Sequence, residues 1–329
     1  MLRSLVVALL TTVMPASAPD HLVRADWDIP GGAGTLHVRE VRLDSAKRAR
    51  PVILVHGARV PGVASFDLPV AGGSLAEDLA REGRRVIVMD ATGYGGSTRP
   101  PAMTEPPEAN PPVVTGEQAV KDIEAVVRWL RSGRVDLVGW ATGGHWAAWY
   151  ASEYPHRVAN LVVHSSLYGA TVGHPLFGGP PPSGAYRLST GAQLLPAWDS
   201  SIPVPDKTEW RDPRVAQSYV DAALASDPTS ADREPPSFRA PTGAMADSHR
   251  LANGTQLWDA HRIRARTLVL RAEYDFWSRP ADLTALAGDL TAAREVRAVT
   301  LEGATHHVHL DRPGKGRTRF IEEVTGWLR

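Results

Sequence analysis

Six short runs, residues 51–56, 85–90, 135–140, 158–164, 267–272 and 296–301, are almost wholly apolar and rich in Val, Leu and Ile. A strand that alternates apolar with polar residues can leave one face wet, whereas a strand apolar throughout must be covered on both faces. Between these runs lie segments with helical spacing. Val120, Ile123, Val127 and Leu130 fall on one helical face, and Thr115-Gly-Glu-Gln118 ahead of them reads as a capping box. Buried strands alternating with crossover helices predict an α/β architecture, a mostly parallel, doubly wound sheet. Two earlier extended stretches, 23–28 and 36–43, flank Gly31-Gly-Ala-Gly34 and predict an N-terminal hairpin. At the other end, Phe320, Val324 and Leu328 recur four apart and predict a closing helix over 314–329.

The alternation stops near Thr171 and resumes after His261. The interval opens with Gly178-Gly-Pro-Pro-Pro-Ser-Gly184, scatters Trp198, Trp210, Tyr219 and Trp258, and carries only short helical patterns. It is too long for a simple loop, and predicts a largely helical cap, 171–261, inserted between core segments 19–170 and 262–329. A Pro- and Glu-rich stretch, 100–112, predicts a surface loop near the same end. Asn253-Gly-Thr255 has the form of a glycosylation acceptor, which carries no weight in a chain of bacterial type. No internal repeat is present.

Charge narrows the partners. Lys plus Arg number 36 and Asp plus Glu 36 in 329 residues, with no long run of one sign. That argues against nucleic acid or an anionic surface, and favours an uncharged or mixed small molecule. The absence of cysteine excludes disulfides, thiolate catalysis and Cys-ligated zinc. Neither a His-x-x-x-His pattern nor a carboxylate cluster suggests a metal, and no cofactor is expected. Residues 1–18 have the layout of a signal peptide: Arg3, an apolar stretch to Met14, then Ala16-Ser17-Ala18. Pro19 disfavours a cut directly after Ala18 and shifts the expected cut elsewhere. The expected location is therefore secreted or periplasmic, and no later run is long enough to cross a bilayer.

Four strand ends carry candidate chemistry. His56-Gly57-Ala58 closes one apolar run, in a bend that exposes the Ala58 N–H; His56 itself reads as a packed structural residue. Asp90-Ala-Thr-Gly-Tyr-Gly-Gly-Ser97 closes the next with a Gly-rich turn, where a phosphate cradle is weak because no Lys-Ser/Thr follows. Gly139-Trp140-Ala141-Thr142-Gly143 joins a buried strand to a helix start, with two glycines making room for a strained turn and helix N–H groups aimed at it. Finally, Asp275 and His306 each end a strand, where Asp275 would orient His306 and stabilise its imidazolium.

In this order and context these residues resemble the α/β-hydrolase superfamily, from the His56-Gly57 turn to the final helix. In particular, 139–143 has the form G-x-S-x-G with Ala141 at the nucleophile position, and nucleophile, acid, histidine is the superfamily's chain order. The resemblance implies Asp275 and His306 as acid and base, the backbone N–H groups of Ala58 and Thr142 as an oxyanion hole, and the insertion as a lid. Within the superfamily the chain is most similar to capped esterases, lactonases and related small-molecule hydrolases. Trp140, Phe276 and Trp277 beside the site, with Trp198, Trp210 and Trp258 in the insertion, are candidate substrate walls. Thr142 is a candidate substitute nucleophile but sits one residue past the apex, where it should cap and pack. His145, His307 and His309 are the neighbouring histidines, with His307 an alternative base if the turn is longer.

Ala141 departs from the superfamily, whose members hold Ser, Asp or Cys there. No acyl-enzyme can form on a methyl group. Three explanations remain open: an engineered Ser→Ala form, a natural Asp275–His306 dyad that activates water or abstracts a proton in a noncovalent hydrolase, lyase or cyclase, or a binding protein that kept the pocket.

Overall fold

The computed structural model describes residues 20–169 and 172–329. The leader-like start and Thr171 lie outside the described residues. The N-terminal hairpin forms as β1 (Leu22–Gly31) and β2 (Gly34–Leu43), paired antiparallel end to end. There follow β3 (Pro51–Val55), α1 (Gly62–Phe66), α2 (Leu75–Arg81), β4 (Arg85–Met89), α3 (Gly116–Leu130), β5 (Val135–Trp140), α4 (Thr142–Glu153) and β6 (Val158–His164). After the intervening segment, described below, come β9 (Arg266–Tyr274), α8 (Pro280–Asp289), β10 (Val296–Thr305) and α9 (Thr318–Trp327).

Eight strands form one sheet in the order β1-β2-β4-β3-β5-β6-β9-β10. The β1–β2 and β2–β4 pairings are antiparallel and the rest parallel. Five of the apolar runs are buried on both faces, as their composition requires, but 296–301 departs from expectation: it lies in β10, the edge strand, and only its Leu301 is buried. In β3, Val52 and Leu54 face a cluster with Leu75 and Leu79 of α2 and Phe320 and Val324 of α9. Ile53 and Val55 face the opposite cluster, with Ile123 and Val127 of α3 and Trp146 and Tyr150 of α4. From β3 the chain steps outward to β4 and then back across to β5. Such a reversal leaves a crevice outside the carboxyl ends of β3 and β5, where ligands of open α/β sheets bind.

Between β6 and β9 lie β7 (Tyr186–Thr190), α5 (Leu195–Ser200), α6 (Pro213–Ala225), β8 (Ser237–Pro241) and α7 (Gly243–Ala252). This segment is less purely helical than expected, because β7 and β8 pair antiparallel as a separate sheet. They are joined across α5 and α6, so no short turn announces the pairing. Two helix ends also differ from expectation. Thr115 precedes α3 but makes no side-chain cap; the Gly116 N–H is instead bonded by Asp247 Oδ2 of α7 at 2.6 Å. The closing helix proper starts at Thr318, because Lys315 and Gly316 (φ 88°) are non-helical. Among the described residues no helix is long and apolar enough to cross a membrane.

Candidate active site

The turn after β3 is clamped from below. Ala91 donates its N–H to His56 Nε2 at 3.1 Å, so the ring hydrogen resides on Nδ1, which donates to the Gly57 carbonyl at 2.7 Å. Burial lowers the His56 pKa and keeps the ring neutral. The Tyr94 hydroxyl donates to the Ala58 carbonyl at 2.9 Å. These bonds fix the Ala58 peptide while its own N–H has no partner among the described residues. The neighbouring Gly-rich turn is already filled by its own carboxylate: Asp90 Oδ2 meets His37 Nδ1 at 3.0 Å and accepts the Gly96 N–H at 3.1 Å. A Cβ on Gly95 would lie 2.0 Å from that same oxygen. Asp90 therefore takes the place a phosphate would need, and the turn is structural.

Ala141 sits between β5 and α4 with φ 53° and ψ −119°, a conformation that L-residues adopt only when the surroundings enforce it. They do so here. The Ala141 N–H donates to the His164 carbonyl of β6 at 2.9 Å, and its carbonyl accepts from Gly144 at 3.0 Å. A Cβ on Gly139 would lie 2.3 Å from the Gly143 carbonyl oxygen, and one on Gly143 would lie 2.2 Å from that of Val55. Both glycines are thus required for strand, turn and helix to close on one another. As the first residue of α4, Thr142 has no intrahelical acceptor for its N–H, which leaves it free for a ligand. Its hydroxyl lies 3.5 Å from Ser248 Oγ and reaches no histidine, so nothing activates it as a nucleophile.

Asp275 and His306, from the ends of β9 and β10, meet: His306 Nδ1 lies 2.8 Å from Asp275 Oδ1. Asp275 Oδ1 also accepts the Trp277 N–H at 2.8 Å, and Oδ2 accepts the Ser278 hydroxyl at 2.6 Å. Burial opposes ionisation of this carboxyl. The His306 charge and these three donors outweigh it and hold the pKa at about 2. The ionised carboxylate places the His306 hydrogen on Nδ1 and turns Nε2 toward the cavity. The Trp140 indole donates to the His306 carbonyl at 2.9 Å, which ties the histidine loop to the end of β5. His307 has no carboxylate, and burial pushes its pKa well below that of a free histidine. Asp275 therefore selects His306.

Gly57, Ala58, Trp140, Ala141, Thr142, Phe276, Trp277, His306 and His307 share one cavity of about 110 Å³. The three tryptophans expected from the insertion do not line it. Trp198 stacks on His307 from behind (ring centroids 5.1 Å apart) and donates to Asp311 Oδ1 at 2.8 Å. Trp210 donates to the Gly303 carbonyl at 2.7 Å with Lys315 over its ring. Trp258 packs on Tyr168 in the core. Large aromatics bury so much surface that packing claims them first. His145 and His309 are buried with neither ring nitrogen bonded. The insertion instead contributes Arg187, Leu194, Ala197, Tyr219 and Met245, and Arg59 joins from the β3 loop. No local pattern singled these out; Arg187 is one of 36 basic residues. Among the described residues no group of three His, Asp or Glu is placed to hold a metal ion.

Several known proteins are similar to this chain. A 2-hydroxy-6-oxo-2,4-heptadienoate hydrolase of Pseudomonas putida is 27% identical over 248 residues, 72% of this chain and 76% of its own length. A proline iminopeptidase of Lactobacillus helveticus is 31% identical over 123 residues, but the match spans only 37% of either chain. Among solved structures, the thioesterase domain from the curacin biosynthetic pathway superposes with a TM-score of 0.59 at 16% identity, covering 93% of this chain and 99% of that one. At that identity the likeness speaks to the fold alone. The family model described as the alpha/beta hydrolase fold matches residues 50–313, which hold six of the sheet's eight strands and the segment between β6 and β9, and the chain belongs to that family.

Proposed function

We propose that this protein cleaves an ester, lactone or comparable small carbonyl compound with His306 as general base, without a covalent intermediate on residue 141. The 2.8 Å bond between Asp275 and His306, in a cavity that also holds Ala141, carries the reading. A water held against His306 Nε2 gives that nitrogen its proton as its oxygen attacks the carbonyl carbon. The carbonyl π electrons move to oxygen, where the Ala58 and Thr142 N–H groups receive the negative charge. Collapse reforms the carbonyl and breaks the bond to the leaving group, which takes the proton back from His306. Asp275 holds the tautomer throughout and stabilises the imidazolium. General-base action contributes about 10² to 10⁴ in rate, and one oxyanion donor about 3 to 4 kcal/mol. Hydrolases acting on small carbonyl compounds among the relatives support the reaction class. The segment between β6 and β9 serves as the lid, and the leader-like start supports an exported protein, to be checked by cell fractionation.

The test is a panel of nitrophenyl esters and lactones. Wild type should turn over without a burst of nitrophenol, and His306→Ala should lose roughly 10² to 10⁴ in kcat/KM. Turnover unchanged in His306→Ala would sink the reading. A second reading is favoured by the strained turn that Ala141 retains: a Ser→Ala form of an acyl-transfer enzyme. There, wild type is inert and Ala141→Ser gains several orders of magnitude.

A further inference from the structure

The cavity wall contains basic side chains with nothing to neutralise them. Arg187, on β7, reaches it from the insertion, and Arg59 reaches it from the β3 loop. None of the residues lining the cavity is Asp or Glu. The Arg187 side chain makes no hydrogen bond to any described residue, and its Nε is enclosed without a partner. Arg59 spends one N–H on the Gln193 carbonyl at 3.0 Å and has no carboxylate either. The Tyr219 hydroxyl adds a further uncommitted donor to the same wall. Burial and the nearby Arg59 charge lower the Arg187 pKa to about 10, still well above neutrality, so the guanidinium stays charged.

A half-buried guanidinium whose Nε is enclosed and which faces no carboxylate is costly, because its desolvation is uncompensated. As a structural device it would have a carboxylate opposite, as Arg239 has Asp227 at 2.7 Å elsewhere in this chain. Its planar fork of donors matches a carboxylate in two-point contact. The reacting end of the cavity is at Ala58, Ala141 and His306.

We infer that Arg187, assisted by Arg59, forms a carboxylate subsite in this cavity, so that the substrate is a carbonyl compound that also bears a carboxylate. This rests on the proposed function only for what happens at the carbonyl; the binding claim stands apart. The overall charge balance, which pointed to an uncharged or mixed ligand, averages over the whole surface and misses a local pair of this kind.

The probes are levulinate, monomethyl succinate and monomethyl adipate, each paired with its fully methylated neutral counterpart. They are titrated against tryptophan fluorescence, which Trp140 and Trp277 in the cavity wall report, in wild type and in His306→Ala. At least one acid should bind roughly tenfold to a hundredfold tighter than its ester. The preference should persist in His306→Ala, disappear in Arg187→Met and weaken in Arg59→Met. Without ligand, Arg187→Met should also raise Tm, since an unpaired buried charge is removed. If every acid and ester pair binds alike, or Arg187→Met keeps the preference, the subsite is overturned. A drop in Tm in Arg187→Met would also overturn it, by assigning the residue a structural ion pair. Should the preference hold while His306→Ala retains full turnover, the carboxylate subsite survives and only the catalytic reading fails.

Discussion

Ala141 keeps a backbone conformation whose usual purpose, to thrust a reactive side chain out of the sheet, an alanine cannot serve. Holding a non-glycine residue there costs about 1 to 3 kcal/mol. The surroundings maintain it through the bonds to His164 and Gly144 and through the two glycines that let β3, β5 and α4 meet. Replacing Ala141 with glycine removes the strain but adds about 0.4 to 1 kcal/mol of unfolded-chain freedom. Ala141→Gly should therefore stabilise the protein by about 1 kcal/mol in urea unfolding, as the difference of those two terms. A clear loss of stability would show that the methyl group packs more strongly than its backbone is strained. At this scale the sequence was readable where a residue stands at a strand end: Asp275 and His306 follow apolar runs, and Gly139 and Gly143 frame the turn. It was unreadable for Arg187, whose meaning depends on having no partner, a property of the fold alone.

The start of α3 shows the same division among elements. Thr115 has the residue type of a cap, and Gln118 the type expected to answer it. Yet Gln118 bonds Asp122 at 2.8 Å and Asp247, from the distant α7, takes the first N–H. Local spacing cannot announce a cap supplied from another element. Asp247→Ala should cost about 1 to 2 kcal/mol, whereas Thr115→Ala should change stability by less than about 0.5 kcal/mol. Equal effects of the two substitutions would return the cap to Thr115. The central strands β3, β4, β5, β6 and β9 were legible because burial on both faces leaves a continuous apolar run. The β7–β8 pair was not, because α5 and α6 separate its partners in the chain. That same pair presents Arg187 to the cavity, so the part of the site hidden from the sequence is the part made by long-range pairing.

Across the whole molecule the unusual feature is a set of neutral histidines in the interior. Burial depresses the pKa of His56, His145, His164, His307 and His309, with His145 and His164 brought down to about 3. His56 clamps the turn after β3 by its two hydrogen bonds, and the others act as aromatic packing: the His164 ring centroid lies 4.9 Å from that of Phe320 and His309 lies 4.4 Å from Trp140. A histidine whose folded pKa lies below its unfolded value stabilises the fold above about pH 6.5 and loses that contribution as pH falls. Other groups titrate with different sign or range. His37, raised chiefly by its bond to Asp90, contributes fully below about pH 6.5 and changes only above it. Asp311, raised to about 6 by burial, gains stability as pH falls and offsets roughly one histidine. Asp275, held at about 2, loses its contribution only below the ordinary carboxylate range. As pH falls from about 6.5 the buried histidines outnumber Asp311, so their lost contribution sets the sign and stability falls. Since a domain's whole stability is only about 5 to 15 kcal/mol, acid should destabilise this protein markedly below about pH 6.5, with net proton uptake on unfolding. Urea midpoints measured from pH 8 to 5 would show it as a collapse, and His164→Phe, which keeps the ring against Phe320, should reduce the uptake by about one proton. A midpoint that stays level down to pH 5 would mean that water or a rearranged loop reaches these rings and that the interior behind the site is not dry.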